Sequence, residues 1–132
     1  MMSIIKQFAK WTILKERLHY QSHKPPLVSE RDIWWVSFGE NVGSEMNGKS
    51  DKFTRPALII KKLAHGFYLV APTTTQARKG TWYVHIQLAG IDEYVCLNQI
   101  RVVDYRRLYS KLGQIDTDDF KRVKDGFAAL YT

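Results

Sequence analysis

The sequence contains one cysteine, Cys96, so no internal disulfide can staple the chain. A lone cysteine inside an apolar run (YVCL) is a small buried hydrophobe more often than a nucleophile. A reducing, cytoplasmic compartment is the matching expectation. Long apolar runs are missing as well. Lys6, Lys10 and Lys15 break up the apolar residues near the N-terminus, leaving neither a secretion signal nor a run of about 20 apolar residues, and no membrane partner is expected. The chain also lacks CxxC, HExxH, GxxxxGK and GxSxG, which argues against a zinc enzyme or a P-loop nucleotidase. No metal site and no cofactor is expected. The four histidines, His19, His23, His65 and His85, are scattered and form no constellation.

What is present is positive charge and apolar residues enough for one core. Length and a 45% apolar content fit a single compact unit. Lys and Arg number 20 against 13 Asp and Glu, giving a formal charge of +7 and a pI near 9.6, so an anionic partner is favoured and nucleic acid comes first. The excess is central. Between Lys49 and Lys79 the basic residues are Lys49, Lys52, Arg55, Lys61, Lys62, Arg78 and Lys79, against the one acid Asp51.

Ile4, Phe8, Trp11, Leu14 and Leu18 recur at steps of three and four, which predicts an amphipathic helix packed on the domain, with Lys6, Lys10 and Arg17 off the stripe. His19 to Pro26 reads as a linker. Residues 1–30 are therefore an N-terminal helix and linker extension, and 31–132 the main domain. Strands are predicted at Ile33–Phe38, Ala57–Lys62, Phe67–Ala71, Trp82–Leu88, Tyr94–Leu97 and Arg101–Val103, all rich in β-branched and aromatic residues. Short strands without helices between them predict a small antiparallel barrel. A short helical turn is expected over Tyr105–Leu112, ending at Gly113. A closing helix is expected through Phe120, Val123, Phe127 and Leu130, capped by Asp116 or Thr117. Trp34 and Trp35 should face opposite ways, toward core or subunit packing. The polar stretch from Gly39 to Thr54 is long for a connection in so small a domain, which predicts a functional or flexible loop.

Four segments carry a resemblance: RDIWWVSFGENVGSE (Arg31–Glu45), RPALII (Arg55–Ile60), APTTTQARKG (Ala71–Gly80) and LNQIRVVDYRRL (Leu97–Leu108). In that order they resemble the motifs of the PemK/MazF toxins, the mRNA interferases of type II toxin-antitoxin systems. The resemblance runs from about Arg31 to Leu130. It implies an α+β, mainly β fold: an SH3-like antiparallel barrel with a C-terminal helix, to which this chain adds an N-terminal one. It also implies a homodimer that cuts single-stranded RNA without a metal, a cognate antitoxin as partner, and contact with DNA only through the antitoxin complex. The family's catalytic arginine matches Arg55 and its catalytic threonine Thr74.

That pair makes chemical sense, because RNA carries its own nucleophile in the 2′-hydroxyl. Attack on the adjacent phosphorus builds negative charge that a guanidinium and a hydroxyl donor stabilise. Glu45, Lys49, Lys52, Thr75, Gln76, Arg78, Lys79 and Asn98 are the expected RNA-binding residues. Asn98 departs from the family, some members of which have an aspartate there as proposed general base; an amide cannot take the proton. Two other readings stay open: a non-catalytic toxin of the same barrel that poisons a protein such as DNA gyrase, and a degenerate RNA-binding module.

Overall fold

A computed structural model describes residues 7–21, 25–42, 45–49 and 53–132. Helix α1 spans Phe8–Tyr20 and is followed by strands β1 (Asp32–Ser37), β2 (Thr54–Ala64), β3 (Phe67–Thr74), β4 (Tyr83–Leu88), β5 (Ile91–Cys96), β6 (Arg101–Asp104) and β7 (Leu108–Gln114), then helix α2 (Thr117–Tyr131). Single 3₁₀ turns, Leu97–Gln99 and Tyr105–Arg107, flank β6. The pairings are antiparallel, in the order β4-β5-β3-β2-β1-β7, with β6 on β3. The result is an open, barrel-like sheet. No helix among the described residues is long and apolar enough to cross a membrane.

The central strands read as continuous apolar runs because both of their faces are covered. Along β2, Ala57 and Ile59 join one cluster with Trp34, Val36, Phe38, Tyr68 and Val70, while Leu58 and Ile60 join a second with Ile86, Val95 and Leu97. The period of two thus sorts neighbouring residues into opposite cores. Phe120 and Val123 of α2 complete the second cluster. The Asp116 side chain caps α2 by accepting from Asp119 N at 2.7 Å, as its place before the helix predicts.

Three expectations need correction. Tyr105–Leu112 is not a helical turn: after the 3₁₀ turn the chain extends as β7 and pairs with β1 from Asp32↔Gln114 to Val36↔Leu108. Strand pairing there overrides local propensity. Phe8, expected on the packed stripe of α1, is 47% exposed, and only Trp11 of that helix is fully buried. His19 and Tyr20 belong to α1 rather than to a linker. Ile4, Lys6, His23 and Lys52 lie outside the described residues.

Asp32 fixes the start of β1. Its buried carboxylate accepts from Ser29 N at 2.9 Å, Trp34 Nε1 at 3.2 Å and Gln114 Nε2 at 3.1 Å, and pairs with Lys111 at 3.2 Å. Asp32→Ala leaves several of these groups without an acceptor, so a loss of about 3 kcal/mol is expected, read as a lower urea midpoint at unchanged slope.

Candidate active site

The β1–β2 connection is organised at its root. Phe38 N and Gly39 N both donate to Phe53 O, Gly48 N donates to Gly39 O at 2.9 Å, and Lys49 and Thr54 exchange backbone bonds at 2.8 and 2.9 Å. Asn41 adds a second tie, with its N accepted by Asn47 Oδ1 at 2.6 Å and its Nδ2 donating to Phe38 O and Met46 O. Helix α1 braces this root from outside. Trp11 packs 5.6 Å from the Phe53 ring and lies under the Arg107 guanidinium at 5.4 Å, with Gly39 against its indole. A plain flexible insertion does not describe the residues seen here.

Arg55 leaves this root at the start of β2, and Thr74 ends β3 one strand away. The two line one cavity of about 510 Å³ together with Lys49, Thr73 and Thr75. Trp35, Pro56, Glu93, Tyr109 and Ser110 line it too. Arg55 is half-buried, and its Nε donates to Asn47 O at 3.0 Å. Among the described residues no carboxylate forms an ion pair with it. Burial pulls its pKa below the usual arginine value, and the like charge of Arg78 acts in the same direction. Cys96, whose thiolate would oppose this, is itself pushed up by burial and stays a neutral thiol near pH 7. Among the described residues the guanidinium is thus in ion-pair contact with no carboxylate, in a partly desolvated site where an anion gains most from it.

Thr74 is buried, and its hydroxyl oxygen accepts from Gln76 N at 3.2 Å. That bond leaves the hydroxyl proton able to point at a ligand. Thr73 instead turns to Glu93, donating to its Oε2 at 3.2 Å with Pro56 O at 3.4 Å.

The expected RNA-binding residues divide. Lys49 and Thr75 join Arg55 and Thr74 in the cavity. Gln76 and Arg78 follow on an exposed turn, where Arg78 Nη2 donates to Gln76 Oε1 at 2.9 Å, and Lys79 is exposed beside them. Glu45 and Asn98 lie apart, in a second cavity of about 420 Å³ shared with Asn41, Met46, Gln99 and Arg101. Asn98 Nδ2 lies 3.5 Å from Tyr83 Oη, and Asn98 does not line the cavity that holds Arg55 and Thr74. Trp34 is buried with the core, while Trp35 turns to the first cavity instead of to core packing.

Glu93 was not among the expected site residues. Strand parity carried its signal: in DEYVCL, Glu93, Val95 and Leu97 share one parity, and Val95 and Leu97 are fully buried. An acid in that position has to be satisfied inside. Burial raises its pKa, and the Thr73 hydroxyl opposes the shift in part. Among the described residues no group of three or more His, Cys, Asp or Glu side chains is placed to hold a metal ion.

Comparison with known proteins matches this geometry to a family. A family model described as PemK-like, MazF-like toxin of type II toxin-antitoxin system covers residues 29–131. Endoribonuclease EndoA of Bacillus subtilis (strain 168) is 27% identical over 109 residues, covering 75% of this chain and 90% of that protein. The fold resembles the crystal structure of MazF from Deinococcus radiodurans at a TM-score of 0.66 and 22% identity, over 80% of this chain and 96% of that one. An endoribonuclease in complex with its cognate antitoxin from Mycobacterial species gives 0.59 at 15% identity, over 78% and 93%.

Proposed function

The chain belongs to the PemK-like, MazF-like toxins of type II toxin-antitoxin systems, and on that premise we propose that it is a metal-independent endoribonuclease whose catalytic residues are Arg55 and Thr74. The observation that carries this reading is the shared cavity: a half-buried guanidinium in no ion pair among the described residues and a threonine hydroxyl from separate strands converge in a space large enough for a nucleotide. The 2′-hydroxyl of single-stranded RNA attacks the adjacent phosphorus. As the O2′–P bond forms and the P–O5′ bond breaks, Arg55 and Thr74 stabilise the charge on the non-bridging oxygens. A 2′,3′-cyclic phosphate and a 5′-hydroxyl result. Lys49, Thr75, Gln76, Arg78 and Lys79 extend the site along the strand as phosphate and base-edge contacts, with Lys52, Glu45 and Asn98 as further RNA contacts.

The protein-poisoning alternative gives Arg55 and Thr74 no task, and their convergence weighs against it. EndoA's name as an endoribonuclease weighs the same way. A solved relative is bound to its cognate antitoxin, and we read a cognate antitoxin and a second copy of this chain as its partners, in the cytoplasm. Purified protein should cut RNA in excess EDTA and leave 2′,3′-cyclic phosphate ends. Cleavage that appears only on adding a divalent ion would overturn metal independence, and gyrase inhibition without RNA products would restore the alternative.

A further inference from the structure

Asn98 cannot serve as a base, yet the cavity is not without a carboxylate. Glu93 is 6% exposed and its register partner on β4 is Ile86. One oxygen, Oε2, takes the Thr73 hydroxyl. Among the described residues five ion pairs form, and none includes Glu93. A buried carboxylate without a cation is costly to keep for the fold alone. Its position has a different logic: it lines the same cavity as Arg55 and Thr74. The other charged groups lining that cavity are Arg55 and Lys49, with the Tyr109 phenol. On the neighbouring positions of its hairpin, His85 and Asp92 satisfy each other at 2.8 Å.

We propose that Glu93 is the general base of this site, accepting the 2′-hydroxyl proton as the O2′–P bond forms. This rests on the endoribonuclease reading of the cavity. The proton moves to Glu93, the leaving O5′ takes a proton from solvent, and Glu93 returns its proton to solvent, so nothing is consumed. Thr73 is a positioning residue that holds the carboxylate through Oε2. Burial places the base above the ordinary carboxylate value, nearer to working pH, where general bases act best. The base is active when ionised, so kcat/KM falls as pH drops through that raised pKa.

The test compares wild type, Glu93→Gln, Thr73→Val and Arg55→Ala on an RNA substrate across pH, with binding read separately on the same RNA carrying a 2′-deoxy scissile nucleotide. Glu93→Gln keeps the size of the side chain and is expected to cut about 10²-fold more slowly, at unchanged affinity, with the acid limb of the profile lost. Thr73→Val removes the bond that holds the pKa down, so the acid limb should move to higher pH. A carboxylate with a purely structural role would leave that limb in place. Wild-type cleavage by Glu93→Gln overturns the proposal, as does an unmoved limb in Thr73→Val, and the second variant decides the matter if the first does not fold. If Arg55→Ala is inactive while Glu93→Gln is not, only this inference fails; if Arg55→Ala cuts normally, the site itself has been misplaced.

Discussion

Arg55→Ala is expected to slow RNA cleavage by about 10²–10³-fold while leaving the fold in place. The size of the loss follows from the surroundings of the guanidinium. It is half-buried, has no carboxylate partner among the described residues, and is aimed by one bond from Nε to Asn47 O. A charge held this way needs little reorganisation when the phosphorane develops, and water that replaces it would be neither fixed nor charged. Stability should change by no more than about 1 kcal/mol, because the one protein bond described for this side chain is an ordinary one to a loop carbonyl. Arg55→Lys should recover little, since an ammonium lacks the forked geometry and is more strongly hydrated. Rates on a defined RNA, with circular dichroism and urea unfolding beside them, separate lost chemistry from a lost fold.

Gly48→Ala is the second large effect, and it comes through packing. A Cβ at Gly48 would sit 1.5 Å from Phe53 O and 2.0 Å from Phe53 C. Both are backbone atoms, so no rotamer change can relieve the clash. Phe53 cannot move freely either, because its carbonyl holds Phe38 N and Gly39 N and its ring packs on Trp11. The Gly39–Gly48 crossing must open, which displaces the neighbouring Asn47 carbonyl that aims Arg55. A shift of about 1 Å in such a group can cost about 10²-fold in rate, and the clash itself about 1–3 kcal/mol. Gly90→Ala is the control. Gly90 has a positive φ, +79°, but a Cβ there meets nothing within 4 Å, so the substitution should cost about 1 kcal/mol of strain without affecting cleavage. Equal activity in both variants would mean that the loop root does not set the position of Arg55.

The sequence made the strands legible where the covering was simple. β1, β4 and β6 fall within a residue of their expected bounds, because β-branched and aromatic runs between turn residues have few other uses. β2 and β3 extend past their apolar runs, β2 to Ala64 and β3 to Thr74, since strand pairing continues into polar residues. β7 was hidden: YRRLYSKLG has helical local character, and the β1 edge that recruits it lies about 75 residues away in sequence. The family motifs placed Arg55 and Thr74, and the structure shows them lining one cavity. They did not place Glu93, which lies between motifs and was visible only as an acid with buried same-face neighbours. Nor does local sequence reveal that Gly39 and Gly48, in a stretch that reads as a functional or flexible loop, allow close packing against Trp11 and the Phe53 backbone.

The mechanism depends most directly on where the nucleophile comes from. Purified protein in excess EDTA should be given two RNAs that differ only in a single 2′-deoxy nucleotide at the scissile position. With the 2′-hydroxyl as nucleophile, the all-ribose RNA is cut, its upstream fragment ends in a 2′,3′-cyclic phosphate, and the 2′-deoxy RNA stays intact at that position while binding equally well. Cleavage of the 2′-deoxy RNA at the same bond would show that an external nucleophile attacks, and would contradict it.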